Sequence, residues 1–133
     1  PVAYNVTRST VSSFASRTMY LSGPVLFLFI VYHLNHLTTG AAHPDFNPDD
    51  VYRNVVLGFR QPIAFGAYVL AMSMLGFHLV HGVWSMFQSI GFNHPKYTPK
   101  LRVFATAATA AIVGGNLSIP VACITRLIGA DVN

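Results

Sequence analysis

"LSGPVLFLFIVYHLNHL", residues 21–37, decides how this chain folds. It is mostly apolar and holds no Asp, Glu, Lys or Arg, yet it ends in two imidazoles and a carboxamide, His33, Asn35 and His36. About 20 mostly apolar residues are what a helix needs to cross the hydrocarbon core of a bilayer. The uncharged stretch around this run covers 18–44, and two more follow at 61–95 and 103–125. These carry "PIAFGAYVLAMSMLGFHLVHGVW" (62–84) and "VFATAATAAIVGGNLSIPVACIT" (103–125). One such run could be the core helix of a water-soluble bundle, but three in series would leave too much apolar surface in water. The whole chain of 133 residues is 53% apolar and 9% charged, against about 25% charged in soluble domains. The expectation is an all-α fold, a polytopic transmembrane helical bundle. It forms one domain over 1–133, with spans at about 18–38, 62–87 and 102–127.

The net charge of +4 does not indicate nucleic acid, because the basic residues are sparse and sit near span ends. They read as topology signals. Arg8 and Arg17 precede the first span, and Lys96, Lys100 and Arg102 fill the loop between the second and third. The intervening loop balances Arg53 and Arg60 with Asp45, Asp49 and Asp50. Three spans put the first two basic groups on one side, the cytoplasm, and the carboxyl end with Arg126 and Asp131 on the other. Cys123 is the single cysteine, so the chain makes no internal disulfide and no cysteine-held cluster. The amino end, "PVAYNVTRSTVSSFASR", has no signal-peptide core and no initiator Met, which points to an earlier part lying outside this chain.

The joints read as follows. "TTGAAHPDFNPDD" (38–50) is a turn-rich surface connection. "DDVYRNVVLGFRQ" (49–61) has helical spacing with two Asp at its start, as expected of a short helix lying along the surface. Pro62 fits the first turn of the second span. "GFNHPKYTPK" (91–100) is a loop, Gly114 and Gly115 offer close helix contact, and Pro24 and Pro120 bend their helices.

Histidine is the unusual feature. Ionisable groups inside a membrane are rare and usually functional. A lone His is more often a packing residue, but His33, His36, His78 and His81 occur in two spans without any intramembrane carboxylate. Glu is absent and the four Asp lie in loops or the tail, which disfavours a carboxylate proton relay. A neutral imidazole is a good axial ligand for haem iron, and burial favours that neutral form. At about 1.5 Å per residue, His33 lies roughly 22 Å from the cytoplasmic start of the first span, and His78 roughly 10 Å from the same surface. A level difference of about 13 Å is too great for one iron, so as ligands the two serve different haems. His36 and His81 follow by three residues on roughly the same helix faces and suit a haem propionate or a quinone oxygen. His43 and His94, each before a proline, read as loop residues. Trp84 reads as an interfacial anchor that borders a possible quinone site, and Met72, Met74 and Met86 as packing.

"SRTMYLSGPVLFLFIVYHLNHL" (16–37), "DVYRNVVLGFRQP" (50–62) and "GFHLVHGVWSMFQSIGFNHPKY" (76–97) together resemble the cytochrome b membrane anchor of succinate dehydrogenases and fumarate reductases. The form resembled is the one in which a single anchor carries two haems b, and the likeness runs from about residue 1 to 128. It implies a five-helix fold with four haem-ligating histidines, of which these spans are the last three. His33 would be an axial ligand of the haem farther from the cytoplasm, and His78 of the haem nearer the iron–sulfur subunit. The two remaining helices would come from a second polypeptide or a missing segment. The resemblance further implies a membrane subunit of a succinate:quinone oxidoreductase, with dicarboxylate chemistry on a flavoprotein subunit. Its membrane would be the bacterial cytoplasmic membrane or the mitochondrial inner membrane.

For quinone, two clusters offer donors near a membrane face. The outer one is Asn35, His36 and Thr38, favoured because two haems make sense if electrons cross the bilayer. The inner one is His81, Trp84 and Ser85. Other readings are a haem-free anchor whose histidines pack or line a quinone pocket, the cytochrome b anchor of another quinone-linked dehydrogenase, and a histidine-gated channel.

Overall fold

The computed structural model describes residues 14–92 and 94–132, with side chains from Met19 onward. Arg8, Arg17 and the amino-terminal features read above therefore lie outside the described side chains. Four helices follow in order: α1 (Phe14–Leu37), α2 (Val51–Arg60), α3 (Pro62–Ser89) and α4 (Thr98–Ile124). Residues Met19–Leu37 of α1, and the whole of α3 and α4, are long and apolar enough to cross a membrane. The protein is an all-α, multi-pass membrane bundle.

α3 is the central helix. It packs on α1 along one side and α4 along the other, while among the described residues α1 and α4 do not pack on each other. The side-chain distribution is inverted relative to a soluble bundle. Phe27, Leu28, Ile63, Leu70, Phe104 and Ile112 face outward, while Ser22, His36, Asn54 and Thr109 are buried. In lipid an outward apolar side chain loses nothing, whereas a polar group needs a partner inside the protein.

The basic residues Lys100 and Arg102 stand on the first turns of α4, not in a loop, because α4 begins at Thr98. Pro99 in its first turn has no needed N–H to forfeit and a preset φ, so the helix starts four residues earlier than hydropathy indicates. Gly114 and Gly115 do not mediate a close approach among the described residues. A Cβ on either would meet nothing within 4 Å, since both are on the face turned away from α3. The α3–α4 approach instead passes Gly76, whose Cβ position lies 3.6 Å from Val113.

α2 does more than lie on the surface. Asp50 caps it by accepting from the Arg53 N–H at 2.9 Å. Its buried face, Asn54, Val56, Gly58 and Phe59, closes one end of the bundle. Val56 and Phe59 join Tyr68 of α3 and Cys123 of α4 in the core. The Arg60 guanidinium donates to the carbonyls of Gly129 and Val132, tying α2 to the carboxyl-terminal tail. Gly129 has φ of +73° and the Val56 side chain occupies the place a Cβ would take, so only glycine lets the tail turn there.

Candidate functional site

Antiparallel packing of α1 against α3 brings each candidate histidine to a hydroxyl on the other helix. His78 of α3 places Nδ1 3.0 Å from Ser22 Oγ of α1. His33 of α1 places Nδ1 3.0 Å from the Tyr68 hydroxyl of α3. The exchange is reciprocal, and among the described residues neither Nε2 has a hydrogen-bond partner. Ser22 is fully buried and donates its one proton to Met19 O at 3.0 Å. With the proton on Met19 O, the Ser22 oxygen is free to accept at His78, the arrangement in which the ring proton sits on Nδ1 and the Nε2 lone pair is bare.

These contacts also measure depth. Ser22 to His33 is about 16 Å along α1, and Tyr68 to His78 about 15 Å along α3. Two independent helices thus put His33 and His78 at levels roughly 15 Å apart, a little more than sequence counting indicates.

The His33 level is crowded with rings. Tyr68 is 5% exposed and its oxygen also lies 3.2 Å from His36 Nδ1. His36 is 1% exposed. Its ring stacks on Tyr32 at 5.3 Å and on His43 at 5.2 Å between centroids. Phe29 and Phe59 meet the Tyr68 ring edge-on at 4.9 and 4.7 Å. Gly58 of α2 makes the stack possible, because a Cβ there would come within 2.8 Å of His36 Cε1 and 3.0 Å of His43 Nε2. His36 Nε2 is buried without a partner. Beside His33, which is itself exposed, an apolar cleft of about 340 Å³ opens between α1 and α4, lined among others by Phe29, Ile30, Met72, Asn116 and Pro120.

His43 is a loop residue as read, but it is buried. It is 5% exposed, with Nε2–H donating to Asn54 O at 2.9 Å and Nδ1 accepting from the Asp45 N–H at 3.2 Å. Both nitrogens are used, so the ring is the neutral Nε2–H form. Asn54 in turn clasps Asn47 through the Asn47 N–H (2.8 Å) and carbonyl (2.7 Å), strapping the loop over the bundle end. His94 remains an exposed loop residue that accepts from the Lys96 N–H at 3.2 Å.

Of the outer cluster, His36 is interior while Thr38 is exposed. Asn35 turns back on its own helix, donating to Val31 O at 2.8 Å and accepting from Thr39 Oγ1 at 3.2 Å. The three do not form one site. At the other end His81 and Ser85 pair along α3, Nε2 to Oγ 3.1 Å. Trp84 next to them carries the Arg102 guanidinium 4.7 Å above its ring. All three side chains on α3 are half-buried. Sequence reasoning missed Ser22, Tyr68, His43 and Gly58. The available signal was that a Tyr inside an apolar span needs a partner for its hydroxyl. Among the described residues no three His, Cys, Asp or Glu side chains gather around a common point.

The family model described as the succinate dehydrogenase/fumarate reductase transmembrane subunit matches residues 3–114, most of the chain. Comparison with curated proteins and with solved structures found no match. The matched segment contains α1, α2, α3 and the first half of α4, and hence every histidine described above. The chain belongs to the succinate dehydrogenase/fumarate reductase transmembrane subunit family.

Proposed function

We propose that this subunit passes electrons between an iron–sulfur partner subunit and membrane quinone through two haems b, ligated on one side by His33 and His78. The reciprocal anchoring of the two rings supports this reading most directly. A neutral imidazole that binds iron offers one bare nitrogen and carries its single proton on the other, usually donated to a neighbouring oxygen. His78 meets that description through Ser22. His33 meets it through Tyr68, and it is exposed beside an apolar cleft where His36 is sealed in. The donor set fits: His33 and His78 each carry an Nε2 without a hydrogen-bond partner among the described residues, and each haem would take its other ligand from elsewhere.

Haem b held at these positions would supply one-electron exchange. The chain's own contribution is to leave the two Nε2 atoms without a hydrogen-bond partner among the described residues, to hold the rings by hydroxyls of the opposite helix, and to set His33 beside an apolar cleft. Two levels about 15 Å apart arrange the ligands as successive stations along the bundle. The exposed Lys96, Lys100 and Arg102 mark the cytoplasmic end, where the iron–sulfur and flavoprotein subunits would dock. A cysteine at position 98 labelled from the outer face alone would overturn that orientation. Succinate or fumarate chemistry belongs to the flavoprotein. For quinone, the burial of His36 weighs against direct contact at the outer cluster. His81, Ser85 and Trp84 keep an imidazole, a hydroxyl and a ring at the inner membrane face, and the quinone reading rests there.

The test is an absorption spectrum and redox titration of the purified complex. Two b-type components are expected, with His33→Ala and His78→Ala each removing a different one. A complex without haem would leave the haem-free anchor in its place.

A further inference from the structure

The Tyr68 hydroxyl sits between two imidazole nitrogens, His33 Nδ1 at 3.0 Å and His36 Nδ1 at 3.2 Å. Two hydrogen bonds need two protons, and the phenol has one. One imidazole must therefore donate to the phenol oxygen while the phenol donates to the other. His43 cannot intervene, since Asn54 O and the Asp45 N–H hold it in its own neutral form. His36 is wedged between Tyr32, His43 and Gly58, so its Nδ1 stays turned to Tyr68.

We infer that Tyr68 is the positioning residue for His33: its oxygen accepts the His33 Nδ1–H and its own proton goes to His36 Nδ1. The inference rests on the haem reading, which requires a bare His33 Nε2 and so puts the ring proton on Nδ1. It adds roles for two residues. Tyr68 sets the tautomer and rotation of the ligand, and His36 orients the Tyr68 proton. By drawing on the N–H, the phenol makes His33 a stronger electron donor and favours oxidised iron. A phenol that is itself donating is a better acceptor, so His36 strengthens the effect from behind.

The experiment is a redox titration of the intact complex, read at the haem that His33→Ala removes. Tyr68→Phe should raise that haem's midpoint potential, by up to about tenfold in its reduction equilibrium or about 59 mV for one electron. The haem removed by His78→Ala should not move. His36→Leu keeps the phenol but deletes its acceptor, and should raise the same potential by less. An unchanged potential in Tyr68→Phe with both haems present overturns the inference, as does a larger shift in His36→Leu than in Tyr68→Phe. If Tyr68→Phe fails to assemble, His36→Leu decides alone: an upward shift at the His33 haem supports the inference and no shift overturns it. Should His33→Ala retain both haems, the ligand assignment itself falls and the inference with it, a result distinct from every outcome above.

Discussion

The two histidine levels use one device in different surroundings. At His78 the partner is a serine that also reaches Met19 O of its own helix, so its proton has an acceptor within α1. At His33 the partner is a phenol shared with His36, and its direction depends on what both rings do. The first level is a pair, the second a network closed by α2 and the 38–50 loop. The difference teaches that a helix pair alone can orient one ring, while the other needs the cap. Damage to the cap should therefore be felt at His33 and not at His78.

The largest expected effect is at the rings themselves. His33→Ala and His78→Ala should each abolish one b-type component and leave most of the other, measured by difference spectra of the assembled complex. Loss of both from a single substitution would make the levels interdependent. Next is Gly58→Val, which pushes side-chain atoms into His36 and His43. Overpacking of this kind costs about 1–3 kcal/mol. Thermal denaturation of the detergent-solubilised complex should register it, with the His33 haem perturbed and the His78 haem spared; equal perturbation would erase the contrast. Ser22→Ala should act on the opposite level only. It leaves the His78 Nδ1–H without its acceptor, a loss of about 1 kcal/mol, visible as an upward shift of that haem's potential in a redox titration. The smallest effect is expected at Asn35, whose amide bonds only its own helix. Asn35→Ala should change stability by less than about 0.5 kcal/mol and leave quinone reduction intact; impaired quinone kinetics would restore the outer cluster.

Hydropathy and punctuation made most of the fold legible. The three uncharged runs became α1, α3 and α4, and Asp50 and Pro62 bracket α2 and open α3 where their chemistry indicates. The separation of His33 from His78 was legible too, because axial rise is the same in every helix. What could not be read was the rotation of each helix about its axis. Gly114 and Gly115 have the composition of a contact face but point away from α3. His43 precedes a proline in a polar loop and is nevertheless buried.

The sequence by itself determined that three of its segments are long and apolar enough to cross a membrane and that its histidines lie at two depths, since both follow from sums along the chain. Only the tertiary structure decided that Ser22 meets His78, that Tyr68 serves His33 and His36 together, and that Gly58 closes over them. Those pairs lie 56, 35 and 32 residues apart, and no local preference encodes them. They arise when α1 and α3 settle side by side at one relative rotation and register, and buried polar atoms take the partners that this packing brings within reach.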